Sequence, residues 1–174
     1  MISLEGRRVA VLTASDTVAR GAGADTSGDV VAERLTALGA EIVARDVVPD
    51  DRRLIADHLR RYADDLGVAL VLTTGGSGLA PTDVTPEATL DVVERVVPGL
   101  PEAARQRTAA GAPLAVLSRG VAGIRKRTLI VNLPGSPRAV REWLDVLLPV
   151  LPHALAVLQG EPMPWGQEHR AGGS

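Results

Sequence analysis

Strand-like and helix-like runs alternate along the chain from Val9 onward, and this alternation constrains the fold more than any other feature. Val9-Ala-Val-Leu-Thr-Ala-Ser15 is bounded by charge before and turn residues after, the pattern of a buried strand. A glycine-rich loop over 16–26 leads to Val31, Leu35 and Leu38, spaced at i, i+4 and i+7 as on one helical face, with Gly39 placed as a stop. Glu41 to Val48 forms a second strand. After Pro49, the residues Ile55, Leu59, Tyr62 and Leu66 mark a second helix, and Val68 to Thr73 a third strand. Two parallel neighbours cannot be joined by a tight hairpin, so this βαβαβ order predicts parallel strands with right-handed crossovers and an α/β fold.

Further along, Thr85-Pro86 opens another helix, with threonine as the cap and proline at the first helical position, and Pro98-Gly99 breaks it. Glu102 to Ala110 reads as a short helix. Leu114–Leu117 and Val121–Leu133 read as short strands, the latter forming a hairpin around Arg125-Lys126-Arg127. Ser136-Pro137 repeats the cap-plus-proline start for a helix carrying Val140, Trp143, Leu144, Leu147 and Leu148 on one face, which Pro149 and Pro152 must kink or split. No internal repeat is present. Residues 1–160 read as one domain and 161–174, where glycine, proline and charge replace periodicity, as a flexible tail.

Composition narrows the chemistry. A chain of 174 residues with 45% apolar side chains buries roughly 70% of its unfolded surface without help from a staple. With no cysteine, a disulfide framework, a thiolate zinc site, an iron–sulfur cluster and a cysteine nucleophile are excluded. Trp143, Trp165 and Tyr62 are the only aromatic residues, so a flat ligand must be held by aliphatic walls and backbone groups. Stacking platforms for single-stranded nucleic acid are excluded for the same reason. The 19 basic and 21 acidic residues give a net charge of −2, without the footprint of a nucleic-acid binder. No segment approaches the ~20 apolar residues of a membrane span, and Val9–Ala14 is too short for a signal-peptide core, so a cytoplasmic protein without a membrane partner is expected.

In open parallel sheets, ligands bind beyond the carboxyl ends of the strands. Three loops qualify: Ser15-Asp16-Thr17, Thr74-Gly75-Gly76-Ser77-Gly78 and Pro134-Gly135-Ser136-Pro137. The glycines permit a tight bend that aims several N–H donors at one oxyanion, and Ser77 adds a hydroxyl; the cluster also reads as a plain strand-exit turn. Pro134–Pro137 offers either a second anion site at a helix start or simply good capping. Neither common nucleotide fingerprint fits, since no lysine follows a glycine loop and Pro81 stands where a Rossmann motif needs glycine or alanine. Asp50 or Asp51 is placed to cap the following helix. Asp83 lacks such a role beside Thr85, and a carboxylate next to an anion cradle points to Mg²⁺ bridging to phosphate oxygens. His58, His153 and His169 do not form a site. Arg125-Lys126-Arg127 reads as a solvated turn or as a grip on a triphosphate, and Ser118-Arg119 as a turn.

Several ordered motifs together resemble the molybdenum-cofactor biosynthesis family that includes the bacterial Mog and MoaB proteins and the G domain of gephyrin. They are Ser15-Asp16-Thr17 with Asp25-x-Ser27-Gly28, Val48-Pro49-Asp50, Leu72 to Gly78, Asp83 to Thr89, Ser118-Arg119 with Gly123-Ile124-Arg125, and Asn132 to Pro137. The resemblance implies a three-layer α/β fold whose mostly parallel sheet carries helices on both faces and a small β-hairpin region, in a homotrimer. It implies Mg²⁺- and ATP-dependent adenylylation of molybdopterin with release of pyrophosphate, and a MoeA-type molybdenum-insertion protein as a downstream partner. The family's two essential acidic positions map onto Asp50 and Asp83, which are also its implied metal contacts. Its phosphate, pterin and nucleotide contacts map onto Ser15, Thr74, Gly75, Gly76, Ser77, Gly78, Ser118, Pro134, Gly135 and Ser136. Ser77 stands where threonine is more usual and keeps the hydroxyl, and Leu100-Pro101-Glu102 replaces a stretch that often holds an aromatic residue and a glycine. The alternative is a MoaB-type pterin-binding protein or scaffold with little transferase activity.

Overall fold

The computed structural model describes residues 1–162; the tail expected over 161–174, with Trp165 and His169, lies outside the described residues beyond Pro162. In chain order the elements are β1 (Arg8–Ala14), α1 (Asp16–Ala19), α2 (Thr26–Ala37), β2 (Glu41–Val48), α3 (Arg52–Arg60), β3 (Leu70–Thr74), α4 (Thr85–Leu90), β4 (Arg95–Val96), α5 (Gly99–Ala109), β5 (Ala122–Arg125), β6 (Thr128–Leu133), α6 (Pro137–Leu147) and α7 (Leu151–Gln159). The strands form one sheet in the order β2-β1-β3-β6-β5-β4, parallel from β2 to β6 and antiparallel over the last two pairings.

Side chains alternate across this sheet, so each central strand feeds two cores. Val9 and Val11 of β1, Leu70 and Leu72 of β3, and Leu129 and Val131 of β6 pack with α2, α6 and α7. Their neighbours Ala10, Leu12, Val71 and Ile130 pack with α3 and α4 on the other face. The result is the three-layer α/β arrangement, with Trp143 and Tyr62 fully buried in opposite layers. Among the described residues, no helix is long and apolar enough to cross a membrane.

Five local outcomes differ from the sequence pattern. The helix opened at Thr85-Pro86 ends at Leu90, well before Pro98-Gly99, and the two-residue strand β4 lies in the stretch between. Leu114–Leu117 is part of a 3-10 turn over Pro113–Leu117 rather than a strand. Ala115 N–H donates to the Ala112 carbonyl and Ser118 N–H to that of Ala115, so these groups close on themselves instead of joining a ladder. α3 widens into a π-turn over Arg61–Asp65, and there the Tyr62 hydroxyl donates to Asp46 at 2.5 Å. α5 begins three residues earlier than the pattern at Glu102 suggested, and Pro101 is accommodated in its first turn, where its missing N–H has no helical partner to lose. Thr85 is not the cap of α4: Val84 holds that position, and Thr85 N–H instead donates to the Gly76 carbonyl at 3.0 Å.

Candidate functional site

Register brings the candidate loops together. Thr13 pairs with Thr74, Thr74 with Leu133, and Ala14 with Val48, so β1, β2, β3 and β6 all end at one edge of the sheet. Chain order runs outward in opposite directions from β1 to β2 and from β1 to β3, which makes the β1/β3 boundary the topological switch point. Gly75 crosses that boundary at φ +88°, and a Cβ there would lie 2.2 Å from the Ala14 carbonyl oxygen. Gly76, at φ +66°, leaves room for Thr85 and Asp50: a Cβ would stand 2.4 Å from Thr85 Oγ1 and 3.1 Å from Asp50 Oδ1. These two oxygens are buried and make no hydrogen bond. Asp51, not Asp50, caps α3 by accepting from Leu54 N–H at 2.9 Å.

Asp50 is instead braced against Asp16. The Asp50 amide donates to Asp16 Oδ1 at 2.8 Å, and the Asp16 amide donates to Asp50 Oδ2 at 3.2 Å. Burial pushes the Asp50 carboxyl above its ordinary range; the Asp16 amide opposes this, and the charges of Asp16 and Asp83 add to it. Asp83 accepts from Ala80 N–H at 3.0 Å, an ordinary turn bond.

Two cavities open at this edge and share Gly76, Asp83 and Gly135 as a common rim. The smaller, about 320 Å³, lies over the switch point and is lined by backbone, by the hydroxyl-bearing Ser15 and Ser27, and by Asp25 and Asp50. The larger, about 480 Å³, lies over the ends of β3 and β6 and is walled by Ala112, Leu114, Leu117 and Ala139, with Ser77, Ser118 and Ser136 among its polar groups. Trp143 reaches its floor but is fully buried, so it offers no exposed ring face for stacking.

A family model described as "Probable molybdopterin binding domain" matches residues 10–153, which contain all of these loops. The chain belongs to this family. It is 39% identical over 157 residues to the molybdopterin adenylyltransferase of Helicobacter pylori strain J99, covering 89% of each chain. Among solved structures, it is similar to the molybdopterin biosynthesis enzyme MoaB of Thermus thermophilus, at 50% identity and TM-score 0.85, covering 90% of this chain and 98% of that one. It is also similar to the molybdopterin biosynthesis Mog protein of Mycobacterium ulcerans, at 42% identity and TM-score 0.83, covering 88% and 99%.

The positions that match the family's motifs take different parts here. Asp50, Asp83, Gly75, Gly76, Gly78 and Gly135 line the cavities. Thr74 borders the smaller cavity, but its hydroxyl is committed to the Pro134 carbonyl at 2.6 Å. Ser77 donates to the Leu133 carbonyl at 3.3 Å. Ser15 and Ser136 each accept a bond from a helix's first turn, Val18 N–H and Ala139 N–H, so both act as caps. Arg125-Lys126-Arg127 lies at the other end of β6, roughly 17 Å of strand away. There Arg125 and Lys126 pair with Asp64 instead of gripping a substrate at the crevice.

Three contributors stand in motifs of the sequence that do not show what they do. Asp16 stands beside Ser15 in a recognisable motif, yet only the pairing of β1 with β2 shows that it braces Asp50. Asn132 is fully buried and donates to Thr73 and Thr89 at 3.0 and 2.9 Å, tying β6, β3 and α4 together; a polar residue inside an apolar strand was the available hint. Arg119 bonds to the carbonyls of Gly78 and Asp83.

The donors suit a hard cation. Asp50 Oδ1 is buried and unpartnered, and Asp83 lines the same cavity. Among the described residues no cluster of three or more acidic, histidine or cysteine side chains is positioned to hold an ion alone. Mg²⁺ accordingly fits only if substrate phosphates and water complete its shell, which is its usual mode in phosphate-binding sites.

Proposed function

We propose that this protein is a molybdopterin adenylyltransferase acting in molybdenum-cofactor biosynthesis, with ATP and molybdopterin as substrates. The observation that carries this reading is the pair of cavities meeting at one rim, because a transfer between two bound ligands needs both reacting ends at a shared boundary. The aliphatic larger cavity suits a flat ring held without stacking, and we assign it to the pterin. The acidic smaller cavity suits a nucleotide whose triphosphate arrives with a divalent cation.

In this mechanism, the terminal phosphate of molybdopterin attacks the α-phosphorus of ATP. The new phosphate O–P bond forms as the bond to the bridging oxygen breaks, and pyrophosphate leaves. The nucleophile is already ionised at neutral pH, so no general base is required. Asp50 and Asp83 would hold Mg²⁺, whose charge neutralises the triphosphate and the developing negative charge. The left-handed bend at Gly75 and Gly76, which glycine alone fits here, lets the Gly75–Gly78 backbone turn its N–H groups toward the phosphates. Asp16 keeps the Asp50 carboxylate from swinging away. Catalysis then comes from positioning and charge stabilisation.

The same reading makes residues 1–160 one functional unit in a homotrimer, with the exposed Val96 on the edge strand β4 as aliphatic surface for contact between copies. It includes a cytoplasmic location, where ATP is available and a dithiolene stays reduced, and a MoeA-type protein that receives the product. The decisive experiment incubates the protein with molybdopterin, Mg²⁺ and ATP and measures pyrophosphate and adenylylated pterin. Both products are expected. Tight binding of either ligand without product would instead support a pterin-binding protein or scaffold.

A further inference from the structure

We propose that Arg119 is the positioning residue that fixes Asp83 at the rim, an inference that rests on the adenylyltransferase reading. Three donors of this residue grip the β3 exit loop at both ends. Its backbone N–H donates to the Ser77 carbonyl at 2.7 Å, Nε to the Gly78 carbonyl at 2.7 Å, and Nη2 to the Asp83 carbonyl at 2.8 Å. The rest of the guanidinium is ion-paired with Glu87 on α4, which holds the Glu87 carboxyl below its usual range. From the opposite side, Arg105 of α5 donates to the Ser118 and Gly120 carbonyls at 3.2 and 2.9 Å, so the segment carrying Arg119 is itself anchored.

The loop has few other fixings. Leu79, Ala80, Pro81 and Thr82 are exposed. Among the described residues, the bonds between Ala80 and Asp83 close the turn on itself without tying it to the sheet. Arg119 lines neither cavity, so it acts on the reaction through Asp83 and not by touching substrate. A planar fork with five donors can satisfy two carbonyls and a carboxylate lying in different directions, whereas the compact ammonium of lysine cannot.

The test is a double-mutant cycle read by calorimetric titration of ATP in the presence of Mg²⁺. Arg119→Ala is expected to weaken Mg²⁺-dependent ATP binding roughly tenfold in the wild-type background and not at all in an Asp83→Ala background. In turnover, a displaced Asp83 lowers kcat roughly a hundredfold. Arg119→Lys is expected to behave like the alanine variant. An equal loss in both backgrounds, or full rescue by lysine, overturns the proposal. If Arg119→Ala loses its circular-dichroism signature, Arg119→Gln, which keeps a donor and much of the stem, carries the same comparison. A wild-type protein without turnover would defeat the adenylyltransferase reading alone. Amide hydrogen exchange over Ala80–Asp83 would still judge Arg119: faster exchange in the variant supports the proposal and unchanged exchange overturns it.

Discussion

The two cavities that meet at Gly76, Asp83 and Gly135 are built by opposite means. The smaller is framed in part by strand ends: Thr13, Ala14 and Thr74 are fixed by the pairing of β1 with β2 and β3, Asp16 and Asp50 cross-bond the β1 and β2 exits, and the start of α2 closes the rest. The larger is walled in part by Pro113–Leu117, a 3-10 turn outside the sheet whose Leu114, Val116 and Leu117 remain 77%, 61% and 45% exposed. A wall made of strand ends is rigid because moving it breaks a ladder. A cavity walled by an exposed turn can be reshaped without disturbing the fold. The two sides should therefore respond differently to substitution.

The largest effect should come from the acidic side. Asp83→Asn keeps an oxygen for the Ala80 N–H but loses its charge, and adenylyl transfer is expected to fall about 10³-fold while circular dichroism and oligomeric state stay as in the wild type. Unfolding of this variant would make Asp83 a structural residue. Gly76→Ala should follow, because its Cβ would press on Thr85 Oγ1 and Asp50 Oδ1 together. The left-handed backbone alone is expected to lower stability by about 1–2 kcal/mol in urea titration, with turnover down about a hundredfold. Wild-type behaviour would mean that the bend at Gly76 is not required.

On the aliphatic side, Ala139→Leu narrows the larger cavity and is expected to raise the KM for molybdopterin about tenfold while leaving the KM for ATP unchanged. The reverse pattern would exchange the two ligand assignments. The smallest effect concerns pH. Folded Asp50 holds its proton more tightly than the unfolded chain does, so its contribution to stability is fully present below the ordinary value of 3.8 and is lost as pH rises through the raised folded value. Asp50→Asn stays neutral throughout. It should show a slightly higher urea midpoint than the wild type at pH 7, with the advantage gone below pH 3.8. An advantage independent of pH would assign it to packing.

Much of the fold was legible because its signals are local. The apolar run at Val9–Ala14, the cap-plus-proline start at Ser136-Pro137 and the stop at Gly39 each depend on neighbours a few residues away, and each appears where the pattern indicated. Thr85 looked equally clear and was not, because its N–H found the Gly76 carbonyl across the crevice and its hydroxyl turned inward with it. Leu114–Leu117 has strand-like composition but no strand to pair with. The choice between Asp50 and Asp51 as helix cap depended on which carboxylate met Asp16, a residue 34 positions from Asp50.

By itself, the amino-acid sequence determined the alternation of strands and helices, the glycine bend beyond β3, and the absence of thiol chemistry and exposed stacking platforms within the candidate loops. These follow from covalent geometry, hydrophobic period and residue type, which act over short stretches of chain. Only the tertiary structure decided that Asp50 is held by Asp16, that Asp83 is tied through Arg119, and that the loops enclose two cavities with one rim. Those outcomes depend on strand register and on which buried polar atoms find partners across the sheet edge, and both are settled when distant segments pack.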